Sequence, residues 1–314
     1  MTTTMTPRIG VRFEPSWAPE RLPDFARWAE DAGFDELWFS EDLPWAGGIA
    51  MAATALAVTT RIHVGIGLLP AVTRNVATAA MEIAALARIA PGRLSIGLGH
   101  GIASWMDEIG ASVPRRFAAL EETAVALRRL LDGETVTMDG THVHLENVTL
   151  GFPPEHAPQI FLGTTGPTGM RITGRSSDGV LLPELASPEA IRWSRREMAA
   201  AGGSGEVLLL AMTSIGDDRA DAIAQVRSRV QGLIDLRFFD NLTEIAGLGA
   251  DGSGPMTDEI LQSLAIGGTA EDAARTVEAW AEAGADRVII VAGDDNPVES
   301  YRRFSTEVFP LLGR

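Results

Sequence analysis

One phrase is written twice in this chain, near its two ends, and it limits the fold more than any other feature. Residues 29–40 read AEDAGFDELWFS and residues 281–292 read AEAGADRVIIVA. Each is the close of a helix, a glycine, an aspartate two residues later, and then an apolar run of strand length. Glycine suits the left-handed turn that ends a helix, and alternating apolar residues suit a strand with one face buried. Between the copies the alternation continues. Strand-like runs fall at Arg8–Phe13, Asp35–Ser40, Ile62–Leu68, Leu94–Gly99, Gln159–Gly163, Gly179–Leu182, Val207–Thr213 and Gly284–Ala292, and each is followed by a helical stretch. Eight βα units without a linker rich in Pro, Gly or Ser predict one domain over residues 1–314, an α/β (β/α)8 barrel. A doubly wound open sheet is the alternative.

Two passages interrupt the rhythm. Residues 134–148, ETVTMDGTHVHLENV, alternate on both sides of Asp139-Gly140 and predict an antiparallel ribbon inserted after strand four, spanning about 134–147. Asp235–Ser253, after strand seven, has no periodicity and several glycines; it reads as a mobile cover.

Composition removes whole classes of function. The chain has 26 basic and 42 acidic residues, a formal charge of −16, which disfavours a nucleic-acid or anionic-membrane partner. It has no cysteine, so disulfides, thiolate nucleophiles and thiolate metal centres are absent. No run is long and apolar enough for a membrane span, and residues 1–10 do not resemble a signal peptide. A soluble, cytoplasmic protein acting on a small molecule is expected. Of the five histidines, His142 and His144 share a ribbon face; surface histidines are the simpler reading and no metal is expected.

The stretch Arg61–Ile102 contains strand three and strand four. On strand three, Ile62, Val64, Ile66 and Leu68 alternate with His63, Gly65 and Gly67. On strand four, Leu94, Ile96 and Leu98 alternate with Ser95, Gly97 and Gly99. Each strand thus has a face nearly without side chains, on which a planar ring can rest; equally, the glycines can serve the taper of a small barrel.

Barrel enzymes carry their chemistry at the carboxyl ends of the strands. The run Gly163-Thr164-Thr165-Gly166-Pro167-Thr168-Gly169 joins strand five to a helix, whose free N–H groups and dipole favour a phosphate. His100, between two glycines at the end of strand four, is the best placed histidine for proton transfer. Of Glu41 and Asp42, one is suited to orient a ligand and the other to cap a helix. Trp45 and Trp105 can wall a planar ligand, or pack the insertions.

At these residues the chain resembles the luciferase-like monooxygenase family, and within it the branch that uses the deazaflavin coenzyme F420. The matching pieces are ELWFSEDLPW, VGIGLLPAVTRNVATAAMEIAALARIAPGRLSIGLGHG, LLDGETVTMDGTHVHLENV and QIFLGTTGPTGMRITGRSSDGVLLPE. The resemblance implies a hydride-transferring oxidoreductase and a homodimer. It implies a non-prolyl cis peptide at Gly67–Leu68 against one face of the ring, cofactor phosphate at Gly163–Thr168, an acidic position at Glu41 and an aromatic wall at Trp45. FMN is the alternative cofactor, and with it a monooxygenase; a silent cofactor-binding protein and a cofactor-free isomerase using Glu184 are the remaining readings. The chain departs from relatives that oxidise sugar phosphates. Asp42 stands where they have histidine and Ile102 where they have glutamate, which leaves His100 and Asp42 to carry proton transfer.

Overall fold

The computed structural model describes residues 6–314. The expectation that the chain starts without a leader falls partly on residues 1–5, outside that range. Eight parallel strands form a ring: β1 (Arg8–Phe13), β2 (Glu36–Phe39), β3 (His63–Pro70), β4 (Leu94–Gly99), β5 (Gln159–Leu162), β6 (Gly179–Leu182), β7 (Glu206–Ile215) and β8 (Arg287–Ala292). Neighbours in sequence are neighbours in space, and β8 pairs with β1 from Arg8↔Arg287 onward, which closes the barrel. The open-sheet alternative is therefore excluded.

The repeated aspartate has a structural task. Asp35 Oδ2 accepts the backbone N–H of Ile9 at 2.7 Å, and Asp286 Oδ2 accepts that of Val207 at 2.7 Å. Asp178, before β6, does the same for Ile160 at 2.7 Å. Each thus secures the start of an adjoining strand. Each also holds an arginine from a distant helix or terminus: Arg314 on Asp35 at 2.6 Å, Arg195 on Asp286 at 2.6 Å, and Arg128 on Asp178. The glycines before the first two have positive φ, +86° at Gly33 and +102° at Gly284.

The insertions fall where expected. The ribbon pairs Val136–Asp139 with His144–Val148, antiparallel. Its turn is wider than Asp139-Gly140 alone: Gly140 N–H bonds Val143 O at 2.9 Å, and Glu122 accepts the N–H groups of Thr141, His142 and Val143 at 2.7–2.9 Å. His144 is exposed and bonds Asp139 at 2.9 Å, and no group of residues suited to a metal occurs among the described residues. The segment after β7 is more regular than its sequence suggests. Within Asp235–Ser253 lies helix Asp240–Ile245, and beyond it come helix Asp258–Leu264 and a short strand, Ile266–Gly268. That strand pairs with Thr213–Ile215, the part of β7 that runs past the end of four-residue β6.

The barrel interior has two layers that bear on the site. Its floor is polar. Arg287, 1% exposed, reaches Glu36 at 3.0 Å, Glu206 at 2.6 Å and Gln159, while Arg8 meets Glu36 at 3.1 Å and His63 bonds Ser95 at 2.8 Å. Above it Trp38, Phe161, Leu181, Leu208, Met212, Ile289 and Val291 form the apolar plug.

This plug corrects the expected bare sheet face. A Cβ on Gly65 would overlap the Trp38 ring, and one on Gly67 would lie 2.6 Å from Leu181 Cδ2. On β4 a Cβ at Gly97 or Gly99 would come within 2.8 or 2.6 Å of Leu68. The glycines make room for Trp38 and Leu68, the packing alternative raised by the sequence. A flat ligand can rest only on top of Leu68, not on naked strand.

Candidate active site at the carboxyl end of the barrel

The Gly67–Leu68 peptide is cis, and the β3–β4 register shifts between Ile66 and Leu69. The bulge turns Leu68 over its neighbours. Its side chain lies across Gly97, Gly99 and Gly163, and a Cβ on Gly163 would overlap Leu68. Three glycines from two strands thus clear a shelf whose upper surface is Leu68.

Beside the shelf is the loop after β5. Gly166 precedes the helix Pro167–Ser176, no side chain caps that helix, and nothing lies within 4 Å of where a Gly166 Cβ would be. Uncapped N–H groups and open space fit a phosphate. The threonines differ from expectation. Thr164 is buried with its hydroxyl 3.4 Å from that of Thr173, so it packs the helix against the strand instead of facing a ligand. Thr165 is half-buried and its carbonyl accepts Asn241 Nδ2 at 2.7 Å. Asn241 belongs to the segment read as a cover, which is therefore latched onto the loop after β5.

Glu41 is committed elsewhere. It forms a bidentate pair with Arg74, with Arg74 Nη2 at 2.8 Å, and accepts Gly48 N–H at 2.9 Å at the start of helix Gly48–Val58. It is the helix cap of the two acids, and holds no free oxygen pair for a cofactor. Asp42 is the other. Its carboxyl makes no hydrogen bond in the protein, and burial pushes its pKa up, with Glu184, Glu14 and Glu41 adding to the effect and Arg12 opposing it. Trp45 follows the cis Leu43–Pro44 peptide, is 52% exposed, and stands at the edge of the mouth.

His100 is the main displacement from expectation. Gly97 and Gly99 face Leu68, so the next residue faces outward. The His100 ring packs edge-on against Phe117, centroids 4.7 Å apart, beside a cavity of about 90 Å³ lined by Ala71, Met106 and Arg116. Neither ring nitrogen has a partner, and burial, helped by the Arg116 charge, lowers its pKa to about 4. A neutral imidazole packed against Phe117, with neither nitrogen partnered, does not fit the proton-transfer role expected of it.

The sequence reading passed over Arg12, on the inward phase of β1 with Arg8 and Gly10. Arg12 Nη2 meets Glu14 at 2.7 Å and Nη1 meets Glu184, after β6, at 3.1 Å; its Nε is buried without a partner. Burial works against the Arg12 charge, but Glu14 and Glu184 outweigh it and raise the pKa. Glu14 also accepts Ala292 N–H at 2.9 Å and the Tyr301 hydroxyl. Burial pushes the Tyr301 phenol up, which keeps it a donor.

Known proteins bear on this geometry. The model of a family described as luciferase-like monooxygenase matches residues 3–287. The chain belongs to that family. Among curated relatives, a 5,10-methylenetetrahydromethanopterin reductase of Methanolobus tindarius is 27% identical over 90% of this chain and 93% of its own. An F420-dependent glucose-6-phosphate dehydrogenase of Kineococcus radiotolerans is 26% identical over 94% of each. Among solved structures, an F420-dependent secondary alcohol dehydrogenase in complex with an F420–acetone adduct superposes with a TM-score of 0.81 at 22% identity, covering 98% of this chain and 99% of that one. The F420-dependent tetrahydromethanopterin reductase of Methanopyrus kandleri gives 0.82 at 20%, with the same coverage.

Proposed function

We propose that the protein is an oxidoreductase that transfers a hydride between coenzyme F420 and a small organic substrate held in the barrel mouth. The observation that carries this reading is the Leu68 shelf, cleared by Gly97, Gly99 and Gly163, next to an uncapped helix start. A shelf and an anion site side by side suit a planar ring with a phosphate tail, and the relatives that align over nine-tenths of this chain include an F420-dependent dehydrogenase.

When bound, the deazaflavin accepts or supplies the hydride. The chain does the rest. Gly67 and Leu68 support one ring face, and Gly166, Pro167 and the following N–H groups, with the Thr165 hydroxyl, hold the phosphate. Trp45 borders the substrate. Asp42, whose pKa is raised by partial burial, exchanges a proton with an oxygen or nitrogen whose adjoining carbon takes up or gives up the hydride. Glu41 and Thr164 act by holding their loops, and His100 by packing. Titration of the purified protein with F420 and with FMN tests this: tight F420 binding with weak FMN binding is expected, and the reverse order would replace the reading by a flavin monooxygenase.

We propose that the second copy of a homodimer covers exposed apolar side chains of the helices after β2 and β3. Helix Gly48–Val58 is apolar all round yet leaves Ala50 and Ala57 exposed, and Met81, Ile89 and Phe152 are 63%, 73% and 75% exposed. Apolar surface of this kind marks an interface. Sedimentation should give a dimer, and Met81→Glu with Ile89→Arg a monomer. No helix among the described residues is long and apolar enough to cross a membrane; with no cysteine and a charge of −16, the cytoplasm is the compartment we assign.

A further inference from the structure

The charged groups at the mouth are sorted by sector, and the sorting bears on which substrate enters. All 26 basic residues of the chain are arginines. On the β1, β2 and β3 side each arginine is already committed. Arg12 is shared between Glu14 and Glu184, and Arg74 between Glu41 and Glu82, the latter at 3.6 Å. Asp42 adds a further carboxyl with no partner of its own. Five carboxyl groups, Glu14, Glu41, Asp42, Glu82 and Glu184, thus face two arginines there. Three arginines without a carboxylate partner, Arg115, Arg116 and Arg171, stand outside this sector, at the start of helix Arg116–Leu131 and on the helix after β5. Arg171 reaches only the Thr168 hydroxyl, at 3.4 Å.

From this sorting we infer that the substrate has no anionic group: it is an uncharged or cationic small molecule, and Glu184 and Asp42 enforce the choice. The inference rests on reading the barrel mouth as the site of hydride transfer. An anion brought to Asp42 meets no free guanidinium. To gain one it must displace Glu184 or Glu14 from Arg12 and leave that carboxylate half-buried and unpaired, which is unfavourable. An alcohol, carbonyl, amine or imine needs no such exchange. It can donate to Asp42 or Glu184, or accept the Nε–H that Arg12 leaves unpartnered. The same arrangement argues against glucose 6-phosphate, the substrate for which one relative is named.

Calorimetric titration at low salt with three planar probes of one shape, benzamidinium, benzamide and benzoate, tests the inference, with F420 binding measured separately in each sample. Benzamidinium and benzamide should bind, and benzoate should be weaker by about tenfold or more, since unit charges a few ångströms apart at a protein surface readily account for such a factor. Glu184→Gln should narrow the gap, as should Asp42→Asn, the second variant guarding against loss of fold in the first. Added salt should narrow it too. Benzoate binding as well as the other two, a gap unmoved in both variants, or no probe binding while F420 still binds, would each overturn the inference. Failure of F420 to bind would instead overturn the cofactor reading, and the probes, titrated into the cofactor-free protein, would still report the charge preference.

Discussion

On the proposed reading Asp42 carries the proton transfer, because its carboxyl makes no hydrogen bond in the protein and partial burial raises its pKa. Asp42→Asn should lower the hydride-transfer rate by about hundredfold, the lower end for losing a general acid, and leave F420 affinity unchanged. Single-turnover absorbance at saturating F420 measures it. The stability effect has the opposite sign. A carboxyl whose pKa is raised on folding costs nothing below its unfolded pKa, where both states are protonated, and destabilises the fold as pH rises through the folded value. Asp42→Asn should therefore unfold at higher urea than the wild type at pH 7, with the two converging below pH 4, near the ordinary Asp pKa. The pair Glu41-Asp42 was visible in the sequence, but not the assignment of roles. Glu41 is taken by Arg74, 33 residues away, and by the N–H of Gly48. Arg12 could have been found from its phase, two residues after Gly10 on the inward face. Its hold on Glu184, 172 residues away, has no local signal. His100 misled because it stands between two flexible glycines; strand parity, counted from Gly97, turns it outward.

At the level of elements, the glycines of β3 and β4 are there for their neighbours. Gly65→Ala would drive a methyl into Trp38 at the centre of the plug, and overpacking of this kind costs about 1–3 kcal/mol. Gly232→Ala is the contrasting case. Gly232 sits within helix Arg219–Asp235 with nothing within 4 Å of its Cβ position, so alanine should stabilise by about 0.5–1 kcal/mol. Urea denaturation of both variants measures the two signs in one experiment. The latch between the cover and the phosphate loop is a third case. Asn241→Ala removes the bond to Thr165 O; F420 should dissociate several-fold faster in stopped-flow, with little change in unfolding midpoint. Strand and helix positions are readable because periodicity and caps are local: Ser187 caps the N–H of Ala190, and Thr269 with Asp272 forms a capping box. The strand Ile266–Gly268 is not, because three residues carry no period and its reason to exist is the overhang of β7 beyond β6.

The barrel as a whole is held at its floor by groups that must keep one protonation state. His63 sits in that layer near Arg8 and Arg287, and burial, with those charges, lowers its pKa from 6.5 to about 3. His100, in the helix layer, is lowered to about 4. Both are neutral in the folded protein at neutral pH. In the unfolded chain each takes a proton as pH falls through about 6.5. Between that pH and the folded values the unfolded state binds more protons at these two sites, so their contribution to stability rises with pH and falls with acid, against the opposite contribution of Asp42. The ring closure makes the loss global. Arg287 on β8 ties Glu36 on β2 to Glu206 on β7 and Gln159 on β5, and the aspartates before β2, β6 and β8 secure the strand starts. Strain at one point of the floor is thereby shared around the ring. Urea midpoints measured from pH 7 to pH 4.5 should decline steadily. His100→Leu, which keeps the contact with Phe117 and removes the titration, should flatten part of that decline, while its F420 affinity at pH 7 stays that of the wild type. A decline as steep in His100→Leu as in the wild type would return the imidazole to a solvated, ligand-facing position.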